Sequence, residues 1–140
     1  MMNARKFVWP AVITAVFLGA GFGRTAETPP EPSSSSVVTV KIHTDASQRC
    51  DKAYDPSVVT IKAGTTVEWI NLDYETHTLV SSEGGDPCRQ KELSPEARVI
   101  DVGQFLRQAT YRKTFTKPGE YPYACHLPFH RMSGKIIVVP

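Results

Sequence analysis

Near its C-terminus the chain reads YPYACHLPFHRMSGKIIVV, from Tyr121 to Val139. Within eight of those residues, Cys125 to Met132, stand one thiol, two imidazoles and one thioether. Soft sulfur holds Cu(I) and imidazole nitrogen tolerates Cu(II), so such a set suits a copper ion that cycles between the two states. A trigonal His2Cys group with a weak axial Met is the arrangement for one-electron transfer. Cys125, His130 and Met132 lie in one segment, and the second imidazole must come from elsewhere. His77 is the candidate, within EWINLDYETHTL, at the start of a β-rich run. Taken singly, each has a plainer reading. A lone His beside a strand is usually a surface or turn residue, and a Met between strands is usually core filler.

The elements that must bring these residues together are β-strands. From Val37 onward the sequence alternates short runs rich in Val, Ile, Thr, Tyr and Trp with turn residues, and shows no helical period. The runs are Val37–His43, Ser57–Lys62, Thr66–Asn71, Thr76–Ser81, Ala109–Phe115, Gly119–Ala124 and Lys135–Val139. Turns are marked by Ala63-Gly64, Gly84-Gly85 and Lys117-Pro118-Gly119-Glu120. Between Pro87 and Gln108 the pattern blurs, and Ser94-Pro95-Glu96 predicts a short helix with Ser94 as cap and Pro95 at its first position. Short strands of this kind around one core predict an all-β, Greek-key β-sandwich of about seven to eight strands. A sandwich places strand ends side by side at one pole, where the end of the Tyr121 run and the start of the His77 run can meet.

The N-terminal segment has a different character. A basic start (Arg5, Lys6) precedes the apolar run from Phe7 to Phe22, and the polar stretch TAETPPEPSSSS follows. Residues 1–26 read as a secretory signal, with an uncleaved N-terminal anchor as the alternative, and 27–36 as a flexible Pro/Ser-rich linker before a domain at 37–140. The run is short for a membrane span and carries Pro10. Removing residues 1–26 takes away three basic residues and no acidic ones, so net charge falls from +2 to −1. The basic pI therefore belongs mostly to the signal and gives no argument for nucleic-acid binding.

Export changes how the three cysteines read. In an oxidising compartment two should pair, leaving one. Cys50 (SQRCDK) and Cys88 (GGDPCRQ) lie in polar, turn-like sequence, whereas Cys125 stands among His and Met, so Cys50–Cys88 is the expected disulfide. A bridge through Cys125 is the alternative, and it leaves the neighbouring His and Met without a role.

The run DPSVVTIKAGTTVEWINLDYETHTL, then FTKPGEYPYACHLPFHRMSGKIIVV, resembles the cupredoxins, the small blue-copper proteins such as plastocyanin, amicyanin and azurin. The landmarks are Pro56, Val59, Ile61, Gly64, Val67, Trp69 and Asn71, then His77. Pro118, Gly119, Tyr121, Tyr123 and Cys125 follow, then His130 and Met132, Gly134, Ile136 and Val138. The likeness spans about Tyr54 to Val139. It implies a type 1 copper site with His77, Cys125 and His130 as strong ligands and Met132 as the weak axial one, and His130 near the surface as the electron's exit.

Two departures from the pattern carry information. Azurin has three residues between its second His and its Met, and amicyanin two, whereas here only Arg131 separates His130 from Met132. In extended chain that gap sets the two side chains two strand steps apart on one face. The loop must then turn sharply, or Met132 binds at an unusual distance, which implies a perturbed, greenish site. His126 follows Cys125 directly and should point to the opposite side, where it could help hold a second, weaker metal, with His43 as a conceivable partner. Multicopper oxidases use histidines beside such a cysteine for a separate cluster, but this chain lacks their paired His-x-His motifs.

Two functions follow. One is an exported, monomeric one-electron carrier that meets redox partner proteins transiently through Leu127, Pro128 and Phe129 around His130, in the periplasm. The other is a periplasmic copper-binding protein for copper tolerance. An enzyme is disfavoured, because four ligands leave no open position for substrate, and a binuclear copper centre would need a second cysteine in this loop.

Overall fold

A period of two decides which side chains of each strand reach the core. In Thr65–Asn71 every second residue is buried (Thr65, Val67, Trp69, Asn71), in Val58–Lys62 Val59 and Ile61 are, and in Val37–Ile42 Val40 and Ile42. The computed structural model describes residues 36–140. The segment read as a signal, 1–26, and the linker up to residue 35 lie outside the described residues. Among the described residues nine strands form: β1 Val37–Ile42, β2 Tyr54–Asp55, β3 Val58–Lys62, β4 Thr65–Asn71, β5 His77–Ser81, β6 Asp101–Phe105, β7 Thr110–Phe115, β8 Gly119–Cys125 and β9 Met132–Val139. They build two sheets, β2-β1-β4-β7 and β3-β9-β8-β5-β6. The pairs β1/β4 and β3/β9 are parallel and the other pairings antiparallel. The fold is an all-β sandwich, as the strand pattern predicted.

The sheets are fastened by aromatic rings. Trp69 of β4 meets Tyr123 of β8 edge-on, with ring centroids 5.5 Å apart at 88°, and Tyr123 meets Tyr54 of β2 at 4.9 Å and 75°. All three are buried. Edge-to-face pairs of this kind add about 0.5–1.5 kcal/mol each beyond the area they bury. At the opposite turn, Gly64 (φ 91°) carries β3 into β4 in a conformation that favours glycine.

Two strands escape a sequence reading, for physical reasons. β2 is only two residues long. β6 contains Gly103 and exposes Asp101, Gly103 and Gln104, so it has no apolar alternation to recognise. The expected helix at Ser94 is a single 3-10 turn over Pro95–Ala97. Pro95 takes its first position as predicted, but Ser94 makes no side-chain capping hydrogen bond.

One pole receives the end of β4, the start of β5, the end of β8 and the start of β9. Close packing there is tested at Gly134, which lies opposite Tyr123 in the β8/β9 ladder. A Cβ on Gly134 would overlap the Tyr123 hydroxyl and ring, and Trp69 and Tyr54 leave that ring little room to move. Gly134→Ala should destabilise the domain by about 1–3 kcal/mol or more, read as a lower urea midpoint. Because the hydroxyl is the nearest obstacle, adding Tyr123→Phe should recover part of the loss. An unchanged midpoint for Gly134→Ala would show that the Tyr123 ring is not fixed.

Candidate metal centre

Strand register sets the site. β5 and β8 are neighbours, with Val80 opposite Ala124 and Ser81 opposite Tyr123, so His77 at the start of one lies near Cys125 at the end of the other. The β5/β6 register shifts between His77 and Leu79, an irregularity of the kind that re-aims a side chain beside a functional site. The loop from His126 to Arg131 then folds back. Phe129 adopts a left-handed φ of 69°, and the His130 N–H donates to the Leu127 carbonyl at 3.1 Å. This is the sharp turn that the short His130–Met132 gap demands.

His130 Nδ1 thereby stands 3.2 Å from His77 Nδ1 and 3.4 Å from Cys125 Sγ. The three donor atoms all lie within 4.8 Å of one another. Met132 opens β9 directly opposite Cys125, and cross-strand partners share a face of the sheet. His77, Cys125 and Met132 are buried, while the His130 side chain keeps 16% of its surface exposed. Two imidazole nitrogens and a thiol at this separation, with a buried thioether beside them, fit copper's preferences.

The surroundings hold the donors by hydrogen bonds. The Thr78 N–H donates to Cys125 Sγ at 3.3 Å, and its hydroxyl, 3.7 Å from the sulfur, accepts the His126 N–H at 2.8 Å. His77 Nε2 lies 3.0 Å from Asp73 Oδ2. Burial by itself pushes the Asp73 carboxyl up, but the N–H groups of Ala46, Tyr74 and Asp45 together with His77 outweigh it and leave the group below its ordinary range. Burial pushes the His77 imidazole down, partly offset by Asp73, so the ring is neutral and its remaining nitrogen can act as a donor. Asn71, fully buried, fixes this loop: its amide donates to the carbonyls of Glu75 (2.9 Å) and Phe105 (2.8 Å), and its oxygen accepts the Asp73 N–H (2.9 Å).

The model of the copper-binding proteins of the plastocyanin/azurin family matches residues 39–139. The chain is a cupredoxin. A plastocyanin of Synechococcus sp. (strain JA-2-3B'a(2-13)) is 36% identical over 112 residues, 76% of each chain. An amicyanin of Paracoccus versutus is 33% identical over 82 residues, 57% of this chain and 53% of that one. Among solved structures, a purple cupredoxin from Nitrosopumilus maritimus shares the fold, with a TM-score of 0.55 at 22% identity over 72% of this chain and 98% of that one. A mutant amicyanin in its reduced Cu(I) form gives 0.51 at 27% identity, covering 74% and 82%. The protein is accordingly a copper-binding electron carrier and not an enzyme.

In this cupredoxin Cys50 and Cys88 form a disulfide and Cys125 is a free, buried cysteine. Cys88 lines one cleft with Cys125, His126, His130 and Met132. The backbone of Cys50 brackets Met132: its N–H donates to the Arg131 carbonyl (2.7 Å) and its carbonyl accepts the Ser133 N–H (3.1 Å).

His126 lies outside the donor group. Its Nε2 is buried without a hydrogen-bond partner, and burial pushes the imidazole below its ordinary range, Glu92 opposing and Arg98 adding to the shift. His43 is 3.8 Å from Asp55 and likewise stands in no three-donor group among the described residues. Sequence reasoning missed Asp73 and Thr78. The available signal was a carboxylate four residues before His77 in a turn-forming stretch.

The bracket around Met132 gives a metal-free prediction. The Cys50→Ser/Cys88→Ser variant should lose up to about 4 kcal/mol in urea unfolding, the loop-entropy value for this separation. Amide hydrogen exchange in the variant should also rise at Arg131 and Ser133 well before it rises at Trp69. Unchanged protection at Arg131 and Ser133 would show that the disulfide does not hold the Met132 segment.

Proposed function

We propose that His77 Nδ1, Cys125 Sγ and His130 Nδ1 hold one copper ion with Met132 as its weak axial partner. We further propose that the protein works outside the cytoplasmic membrane, passing single electrons between redox partner proteins. The observation that supports this best is the closeness of the three donors within 4.8 Å, two of them buried and the third at the surface edge. Copper, when bound, supplies the Cu(II)/Cu(I) couple. The chain supplies rigidity. Cys125 and His77 sit at the ends of neighbouring strands, so neither can follow a change in preferred geometry between the two oxidation states, and the cost of rearrangement on electron exchange stays small.

His130 is the natural exit. Its rim is mixed: Phe129 is 90% exposed and Tyr74 73%, beside the exposed Arg131 and the Glu75 carboxylate, an oxygen of which lies 3.9 Å from His130 Nε2. Such a rim suits brief contact with a partner better than permanent assembly, which fits a monomer. The disulfide supports an oxidising compartment, consistent with the secretory reading of the N-terminus. Among the described residues no helix is long and apolar enough to cross a membrane.

An anaerobic Cu(II) titration followed by visible absorption tests the reading. An intense thiolate-to-copper band that saturates at one equivalent is expected in the wild type, and Cys125→Ser should abolish it while leaving the urea midpoint of the apoprotein nearly unchanged. Survival of the band in Cys125→Ser would sink the assignment of ligands. Binding that continues beyond one equivalent would favour copper handling, with His126 as the place to look.

A further inference from the structure

Asp73 is the one buried carboxylate among the described residues, 2% exposed. An ionised carboxylate out of water is costly unless hydrogen bonds replace its hydration, and here they do. Oδ1 accepts the N–H groups of Tyr74 (2.7 Å) and Asp45 (3.2 Å), and Oδ2 accepts that of Ala46 (3.0 Å) and faces His77 Nε2 at 3.0 Å. Three of these four partners are backbone N–H groups, which can only donate. Both oxygens are therefore acceptors, and the proton between Asp73 and His77 belongs on His77 Nε2. That leaves the His77 Nδ1 lone pair bare, and Nδ1 is the atom turned toward His130 and Cys125.

The arrangement is built from distant sequence. Asp45 takes a left-handed φ of 59°, and its N–H and that of Ala46 both reach Asp73. On the other side, Asn71 accepts the Asp73 N–H. The carboxylate can neither rotate away nor retreat to solvent. A fixed anion one imidazole away from a metal favours the more highly charged oxidation state, because the unit difference in metal charge is felt across a poorly screened interior.

We propose that Asp73 is a positioning residue of the copper site: it locks His77 with Nδ1 free for the metal and, as a buried anion, biases the site toward Cu(II). The inference rests on His77 being a ligand and adds what sets its tautomer and the site's redox balance. Outer-shell partners of ligating histidines commonly change metal affinity by about 10–100-fold. Here the effect should fall mainly on Cu(II).

The test is voltammetry of the copper-loaded full chain, wild type against Asp73→Asn. The variant should keep the thiolate-to-copper band at one equivalent while its preference for Cu(II) over Cu(I) falls roughly tenfold, a rise of about 59 mV for a one-electron couple. A band with an unmoved potential would overturn the role of Asp73 and leave the copper site standing. Absence of the band in the wild type would overturn the copper reading itself. Asn cannot accept at all the positions Asp73 fills, so the variant could fail to fold. The wild type then decides, through 15N chemical shifts of His77 in the copper-free protein, where no metal on Nδ1 dictates the tautomer. A proton on Nε2, slow to exchange, is the expected result, and a proton on Nδ1 overturns the proposal.

Discussion

Both loops that carry the site lean on one short segment, Asp45 to Cys50. At its start, the N–H groups of Asp45 and Ala46 hold Asp73 and so the His77 side. Further along, the Ser47 carbonyl accepts the Arg131 N–H at 2.7 Å, the Gln48 amide donates to the Phe129 carbonyl at 2.9 Å, and the Cys50 N–H donates to the Arg131 carbonyl at 2.7 Å. Its far end is fastened by the disulfide to Cys88. A segment without a long strand or helix thus decides how far apart His77 and His130 stand. The strain is local: Asp45, Cys50 and Phe129 all adopt positive φ, which non-glycine residues take up only where surrounding contacts enforce it.

The β8 ladder supplies the other half of the constraint. Cys125 is the last residue of a strand paired on both sides, with β5 and β9. A slip of one residue would turn its sulfur to the opposite face and expose Tyr123 with it. The Trp69–Tyr123–Tyr54 contacts penalise that slip, so the packing in the middle of the sandwich fixes the chemistry at its pole. The thiol then finds the Thr78 N–H waiting, a donor aimed at its sulfur.

What the sequence revealed and what it hid separate along physical lines. The donors were legible because thiol, imidazole and thioether are rare side chains and three of them lie within eight residues. The long strands were legible because burial on one face imposes a period of two, as in β4. The pairing of Cys50 with Cys88 followed from the company each cysteine keeps. Hidden were the interactions made by backbone groups of distant segments: the Asp45 and Ala46 amides on Asp73, and the Cys50 amide and carbonyl on either side of Met132. No side-chain type announces a backbone donor. β6 was hidden for the opposite reason, since its exposed Asp101, Gly103 and Gln104 look like loop.

The short His130-Arg131-Met132 spacing shows how the two kinds of information combine. A longer loop would reach the site by its own curvature. Here there is no slack, and the single intervening residue has both backbone groups bound, its N–H to Ser47 and its carbonyl to Cys50. His130 leaves the turn at Phe129, while Met132 comes in with the β9 ladder opposite Cys125, so the two reach one place by separate supports. The strand-based objection that two steps of extended chain set them too far apart therefore fails at its premise, because residues 129–132 are not one extended run. The same fact limits Met132. Its position is set by β9, the Cys50 bracket and the core around it, and not by the demands of a metal.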